Sequence, residues 1–342
     1  MTAPQPGQSR AVVLRGDRPA EDLHCFEDLE LPVPALGPHD LLVRVRAVSV
    51  NPVDIKVRKR TPPTAPRVLG WDAAGVVLAT GAQCTRFAPG TRVFYAGDIN
   101  RPGSNQALHV VDERVVGRMP ERLDFCEAAA LPLTALTAWE ALFERLQVQH
   151  ADPAGRRVLL IIGGAGGVGS MAIQLAHCAG LRVVATASRP ETQAWCRELG
   201  ADAVIDHRFD LAPQLRALDL PDPQYILCCN DTDAYFEVMA QLIAPQGRIC
   251  VIAGARQPQP IQALMQKSAA LMWENMFAKL EHQTADLESQ HHILNEVADM
   301  IDDGRLRTTL REVLGPLDAR NLRLAHARVE SGRTLGKLVL TL

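Results

Sequence analysis

The chain has 342 residues, 47% of them apolar and 22% charged, with 36 Lys+Arg against 39 Asp+Glu and a net charge of −3. That length accommodates two domains with separate cores, and the apolar and charged fractions are those of an ordinary globular protein. Near charge balance without a dense basic run excludes a nucleic-acid footprint, and 4% aromatic residues leaves no stacking platform for single strands.

The opening MTAPQPGQSR reads as a short disordered lead without the basic-then-apolar pattern of a signal peptide. No apolar stretch reaches the ~20 residues of a membrane span. Eight cysteines lie scattered with no C-x-x-C pair, which predicts reduced, mostly buried thiols and a cytoplasmic protein.

Up to about residue 130 the chain carries short β-type runs (11–15, 40–50, 73–80 and 92–95) broken by prolines from Pro32 to Pro89, Pro63 among them. This texture predicts a small, irregular β-barrel or sandwich. From Glu127 apolar runs alternate with helical patterns. Runs 157–162, 181–187, 203–206, 224–229, 248–253 and 270–274 are separated by helices ending near Ala179, over 191–199, a short one after 206, over 231–243 and over 261–267. Such alternation predicts an α/β fold with a doubly wound parallel sheet.

After Phe277 come a helical segment (285–303), a strand (308–313), a helix (318–331, stopped by Gly332) and a last strand (335–340). This tail returns to complete the first domain. The domains are therefore expected at 1–133 with 277–342, and at 134–276. The run 270–274 is the outer strand of the parallel sheet, and its apolar edge predicts a homodimer.

The segment Gly163-Gly164-Ala165-Gly166-Gly167-Val168-Gly169-Ser170 follows an apolar strand and opens an amphipathic helix. Gly164, Gly166 and Gly169 fit G-x-G-x-x-G, in which the turn and the close approach of backbone N–H groups to a pyrophosphate forbid side chains. The second strand then ends Ala187-Ser188-Arg189, with no carboxylate before Glu191. A ribose diol is normally held by an acid at this point; a hydroxyl and a guanidinium suit a 2′-phosphate instead. The cofactor this predicts is NADPH.

Four motifs carry a family resemblance: Val50-Asn51-Pro52-Val53-Asp54, Leu69-Gly70-Trp71-Asp72-Ala73-Ala74-Gly75, Leu136-Thr137-Ala138-Trp139-Glu140 and the glycine loop. With them the chain resembles the medium-chain dehydrogenase/reductase superfamily, over residues 10–342. Within it the chain is most similar to the zinc-free quinone oxidoreductase branch and the bacterial "zinc-type alcohol dehydrogenase-like" subgroup. The resemblance implies a Rossmann NADP-binding domain and a β-rich, GroES-like catalytic domain.

It also implies that Asn51, Trp71 and Leu133 stand where zinc-dependent relatives carry metal ligands. None of the three is a credible ligand, and the cysteine-rich lobe that holds structural zinc is missing. The other candidate, His291-His292 with Glu296, reads as a solvated helix face. No metal is expected.

By the same resemblance Asn51 and Thr137 face the nicotinamide and its ribose, and Asn51 offers an amide to an oxyanion. Asp54 orients water or the cofactor, or is only a carboxylate in the first turn of a helix. Trp71 and Phe277, with Tyr95, line a slot for a flat acceptor, and Tyr95 is the candidate proton donor. Gly164, Ala165, Gly166, Gly167, Val168, Gly169, Ser188, Arg189, His207, Asn230 and Ala253 complete the cofactor site, His207 standing near the 2′-phosphate. The implied activity is NADPH-dependent, zinc-independent hydride transfer to a small quinone or α,β-unsaturated carbonyl. A zinc-free alcohol or carbonyl dehydrogenase, or a non-catalytic NADPH-binding sensor, remain as alternatives.

Overall fold

The structure is a computed structural model describing residues 7–62, 66–148 and 157–342; the first six residues of the expected lead and Pro63 lie outside the described residues. It divides into two compact units, Met1–Leu133 with Phe277–Leu342, and Thr134–Met276.

The first unit begins with β1 (Gln8–Leu14), β2 (Phe26–Pro32), β3 (Asp40–Ser49), α1 (Pro52–Arg58) and β4 (Arg67–Val68). It continues through β5 (Ala73–Thr80), β6 (Arg92–Tyr95), β7 (Leu108–Asp112), β8 (Val116–Arg118) and α2 (Phe125–Ala129). Helix α3 (Pro132–Trp139) crosses into the second unit and runs directly into a π-helical stretch, Glu140–Arg145.

The second unit alternates β9 (Val158–Ile162), α4 (Gly167–Cys178), β10 (Arg182–Thr186), α5 (Pro190–Glu198), β11 (Ala203–Ile205) and α6 (Leu211–Arg216). Then follow β12 (Tyr225–Cys228), α7 (Thr232–Leu242), β13 (Arg248–Val251), a 3-10 helix (Ile261–Lys267) and β14 (Ala270–Trp273). The first unit resumes with α8 (Ala278–Glu281), α9 (Ser289–Asp302), β15 (Leu310–Pro316), α10 (Ala319–Glu330) and β16 (Lys337–Thr341).

In the second unit six parallel strands lie in the order β11-β10-β9-β12-β13-β14. Counted within the sheet this is 3-2-1-4-5-6, the doubly wound order whose switch point lies between β9 and β12. Helices cover both faces, so the central strands are apolar throughout: every residue of β9 and β12 is buried. Leu160, Ile162, Ile226, Phe236, Met239 and Ile249 anchor one core.

The first unit is built on a seven-stranded sheet, β15-β16-β3-β5-β6-β8 with β7 paired to β3, and a three-stranded sheet β2-β1-β4. Pairing is antiparallel except between β15 and β16. The C-terminal strand β16 adds to β3, so the tail lies in the sheet of the N-terminal residues.

The structure differs from expectation at several elements. The helix predicted from 285 begins at Ser289, because Asp286 forms a turn: its carboxylate accepts the Thr284 hydroxyl at 2.7 Å and its carbonyl the Ser289 N–H at 2.9 Å. The strand predicted from 308 starts at Leu310, since the hydroxyls of Thr308 and Thr309 donate to the carbonyls of Glu127 and Ala130 instead. Of the eight thiols, none bonded to another, four are buried and Cys178 is exposed.

Candidate active site

In the second unit β9 delivers the chain into the glycine loop at the switch point. Gly163 sits at φ +89°, a left-handed conformation only glycine adopts freely, and its N–H donates to Thr186 Oγ1 at 3.0 Å. The turn glycine is therefore the residue just before the motif's first one. A Cβ on Gly169 would lie 2.3 Å from the Gly163 carbonyl oxygen, and one on Gly164 2.8 Å from the Ala185 Cβ. These two glycines let α4 and β10 pack on the loop.

Gly166 is different. The nearest atom to a Cβ there is 3.7 Å away, so its missing side chain leaves open space rather than a packing contact. It is the N-cap of α4 and makes no side-chain cap bond. The N–H groups of Gly167, Val168 and Gly169 thus have no intrahelical acceptor, and they stand at the positive end of the helix dipole. A backbone cradle of this kind, reached through Ala165 and bare at Gly166, fits a dinucleotide pyrophosphate.

Around the loop, Cys229 and Asn230 follow β12; their Cβ atoms lie 3.5 and 3.7 Å from where a Gly163 Cβ would be. Ala253, after β13, accepts the Thr232 hydroxyl at 2.5 Å, and Thr137 is buried on α3. Beyond β10, Ser188 is half-buried and Arg189 caps α5, with Nε 2.9 Å from the Glu191 carboxylate. His207 is exposed after β11.

The first unit holds a buried polar cluster that sequence spacing did not reveal. Asp72 is fully buried. Its Oδ2 accepts from Ser49 Oγ at 2.8 Å, Asn51 Nδ2 at 2.8 Å and Lys337 Nζ at 3.0 Å, and its Oδ1 from the Leu133 N–H at 2.7 Å. Lys337 Nζ also donates to the Val50 carbonyl at 3.2 Å and to Asn51 Oδ1. The ammonium's three hydrogens thus meet three acceptors. Asn51 and Leu133, two of the positions expected from the family resemblance to match metal ligands, both bond to Asp72.

Asp54 lies beside this cluster, in the first turn of α1, with Oδ2 accepting the Asn51 N–H at 2.8 Å. Complete burial pushes its carboxyl up to about 7, and the Asp72 charge adds to the rise. The Asn51 N–H, the Lys337 ammonium and the Gly70 N–H oppose it.

Trp71, the third position so expected, is fully buried; its Nε1 donates to the Asp98 carbonyl at 3.3 Å, and its ring meets Phe277 edge-on at 6.3 Å. These two aromatics pack on one another. Among the described residues no group of three or more His, Cys, Asp or Glu is placed to hold a metal ion.

Tyr95 is fully buried, its hydroxyl 3.0 Å from His109 Nδ1. His109 Nε2 lies 3.0 Å from the Pro102 carbonyl, which only accepts, so Nε2 carries the hydrogen. Burial holds this imidazole neutral, near pKa 4, so Nδ1 accepts the tyrosine hydrogen. The phenolic proton is committed to His109. The pair His291-His292 divides: His291 Nδ1 donates to the Val116 carbonyl at 2.6 Å, fixing α9 on β8, while His292 is exposed.

Lys337 is the functional candidate that sequence reasoning missed. The signal was a lysine inside the apolar strand Leu335-Gly336-Lys337-Leu338-Val339-Leu340, where burial demands partners.

A 3-2-1-4-5-6 sheet with a pyrophosphate-fitting loop in one unit, and a buried Asp–Lys pair in a separate β-rich unit, is the architecture of a two-domain nucleotide-binding dehydrogenase. Residues 37–121 match the "alcohol dehydrogenase GroES-like domain" family and residues 167–283 the "zinc-binding dehydrogenase" family. The chain is 42% identical over 324 residues to a "zinc-type alcohol dehydrogenase-like protein" of Staphylococcus aureus MSSA476, covering 94% of this chain and 96% of that one. It therefore belongs to the medium-chain dehydrogenase/reductase superfamily and is an oxidoreductase of that superfamily.

Its structure superposes on the crystal structure of a candidate zinc-dependent alcohol dehydrogenase of Rhizobium etli CFN 42 with a TM-score of 0.94, at 49% identity over 99% of both chains. A quinone oxidoreductase of Pseudomonas syringae pv. Tomato DC3000 follows with a TM-score of 0.83, at 26% identity over 98% of this chain and 100% of that one. The 2-methylene-furan-3-one reductase of Solanum lycopersicum is 29% identical over 321 residues, 90% of this chain and 73% of that one.

Proposed function

We propose that this protein is an NADPH-dependent, zinc-independent reductase of quinones or α,β-unsaturated carbonyls. The observation that carries the reading is the Lys337–Asp72–Asn51 network. At the positions aligned with metal ligands stand an amide, an indole and a leucine, and the buried cation among them is an ammonium with all three hydrogens engaged.

Lys337 and Asp72 form an ion pair of zero net charge, so the Asp72 carboxylate already has its cation in the ammonium. Without a Lewis acid the site does not polarise a simple alcohol. A conjugated acceptor spreads the incoming charge over its own π system, and a hydrogen-bond donor then suffices. The Asn51 amide supplies that donor. The proton reaches the product from solvent, Tyr95 being engaged with His109.

In the second unit the loop from Ala165 to Gly169 holds the pyrophosphate, and Arg189 exchanges its carboxylate partner Glu191 for the 2′-phosphate. When bound, NADPH is the source of the hydride. The quinone oxidoreductase and the furanone reductase among the similar proteins, both named for conjugated carbonyl substrates, support the acceptor class.

Assembly as a cytoplasmic homodimer belongs to the same proposal. Strand β14 is one edge of the sheet, and Trp273 on it and Met265 in the 3-10 helix before it are 55% and 74% exposed. Sedimentation at micromolar concentration should show a dimer.

The deciding experiment is NADPH oxidation with quinones, enones and primary alcohols, with and without a chelator, on protein of measured metal content. Turnover of conjugated acceptors at well under one zinc per chain supports the proposal. A chelator-sensitive alcohol dehydrogenase with stoichiometric zinc overturns it.

A further inference from the structure

The Asn51 amide has two orientations differing by a half-turn about its last bond, and they are chemically opposite. One presents N–H to a substrate oxygen; the other presents a carbonyl, which repels a developing negative charge. The structure shows what chooses between them. Oδ1 faces the Lys337 ammonium, a group that can only donate, and Nδ2 lies 2.8 Å from Asp72 Oδ2, a group that accepts.

Turning the amide over would press N–H against an ammonium and oxygen against a carboxylate. Both contacts would be lost, between side chains that are each at most 3% exposed. Asp72 is itself held by the Ser49 hydroxyl and the Leu133 N–H, and Lys337 by the Val50 carbonyl. Neither can swing away to accommodate the flip. In the observed orientation one Nδ2 hydrogen goes to Asp72, and the second has no acceptor among the described residues.

We propose that Lys337 is a positioning residue: its ammonium, acting with Asp72, locks the Asn51 amide with the free N–H presented to the acceptor oxygen. It also polarises that N–H through Oδ1, taking over part of the charge stabilisation that a metal gives in zinc-dependent enzymes. The inference rests on the reductase reading above. It assigns Lys337, 286 residues from Asn51 in sequence, a role in turnover rather than in cofactor binding.

The test is a double-mutant cycle with steady-state kinetics on an enone or quinone, and NADPH affinity read separately by nicotinamide fluorescence. Lys337→Met should lower kcat by about tenfold or more, the scale of a lost charge-assisted hydrogen bond, with NADPH affinity and acceptor KM within a few-fold of wild type. Lys337→Arg should recover much of the loss. In an Asn51→Ala background, Lys337→Met should cost almost nothing further, because the amide it orients is gone.

Unchanged kcat in Lys337→Met, or full additivity with Asn51→Ala, overturns the proposal. Should Lys337→Met fail to fold, Asp72→Asn reads the other side of the same lock: kcat must fall there with NADPH affinity kept, and an unchanged kcat rejects it. Absence of turnover by the wild-type protein defeats the reductase reading itself, a result separate from any variant's behaviour.

Discussion

The two units build their sites from opposite materials. In the second, the site is backbone: one left-handed glycine, two glycines that admit close packing, and an uncapped helix end open at Gly166. In the first it is side chains: Ser49, Asn51, Asp54, Asp72 and Lys337, drawn from three separate stretches of chain and hydrogen-bonded around Asn51 and Asp72. A backbone site needs residues whose virtue is absence, in a fixed local order. A side-chain site needs residues whose partners lie far away, in any order the fold supplies.

The contrast is sharpest at the glycines. A Cβ on Gly169 meets backbone at 2.3 Å and cannot be relieved by a rotamer change, whereas one on Gly166 meets nothing closer than 3.7 Å. Gly169→Ala should therefore destabilise the second unit by about 1–3 kcal/mol or more, the cost of overpacking, and abolish measurable NADPH binding. Gly166→Ala should leave unfolding within about 1 kcal/mol of wild type, a cap-sized change, and still weaken NADPH. Chemical unfolding and cofactor titration on the two variants measure both effects. A Gly166→Ala protein that binds NADPH normally would remove the cradle from the proposal.

The same contrast governs what could be read from sequence. Strand, glycine loop and helix lie within 21 consecutive residues, and the parallel sheet repeats that local grammar, so the second unit was legible along with most of its elements. The return of the C-terminal strand to the first domain was legible too. The pair between Asp72 and Lys337 was not, being 265 residues apart with no periodicity to join them. Nor could sequence show that Tyr95 gives its hydrogen to His109, or that Trp71 and Phe277 pack against each other. Those facts depend on rotamers and tertiary register. The start of α9 failed for a different reason: Asp286 prefers a turn that no apolar pattern records.

The side-chain site has a second signature, its pH response. Burial raises the Asp54 carboxyl to about 7, while in the unfolded chain it titrates near 3.8. Between those values the folded state holds a proton that the unfolded state has released, so Asp54 makes stability fall as pH rises from about 4 to about 7. The slope contributed by one such proton is at most about 1.4 kcal/mol per pH unit. Comparing unfolding free energies at pH 5 and pH 8 in wild type and Asp54→Asn isolates this contribution, because groups shared by both proteins cancel. The loss on going to pH 8 should shrink in the variant. An unchanged difference would mean that Asp54 is ionised in the folded protein throughout.

On the cofactor side, Arg189→Ala tests the proposed contact between the backbone site's cofactor and a charged side chain. A charge-assisted bond to phosphate is worth about 1.5–3 kcal/mol, or ten- to 150-fold in affinity. Arg189 must first give up Glu191, an exposed pair worth about 0.2–1 kcal/mol, which moves the expectation to the lower end. NADPH should be preferred over NADH by about tenfold in KM, and Arg189→Ala should remove most of that preference with NADH kinetics nearly unchanged. Equal damage to both cofactors would make Arg189 structural.

The smallest effect is the most diagnostic of how that preference is set. Glu191 lies in the first turn of α5 with its carboxylate 2.9 Å from Arg189 Nε, so it engages the guanidinium proposed for the 2′-phosphate. Removing the charge while keeping the size, by Glu191→Gln, should remove this ion pair from Arg189. NADPH affinity should then rise by about 1.4- to fivefold, the equivalent of an exposed ion pair, with NADH affinity unchanged. The gain should fade as salt shortens the screening length to a few ångströms. Simple repulsion between Glu191 and the phosphate predicts a gain too, and an Arg189→Ala background separates the causes. If Glu191 acts by holding Arg189, the substitution does nothing once the arginine is gone. A gain that survives there would show that Glu191 repels the phosphate directly, leaving Arg189 no part in the discrimination through that pair.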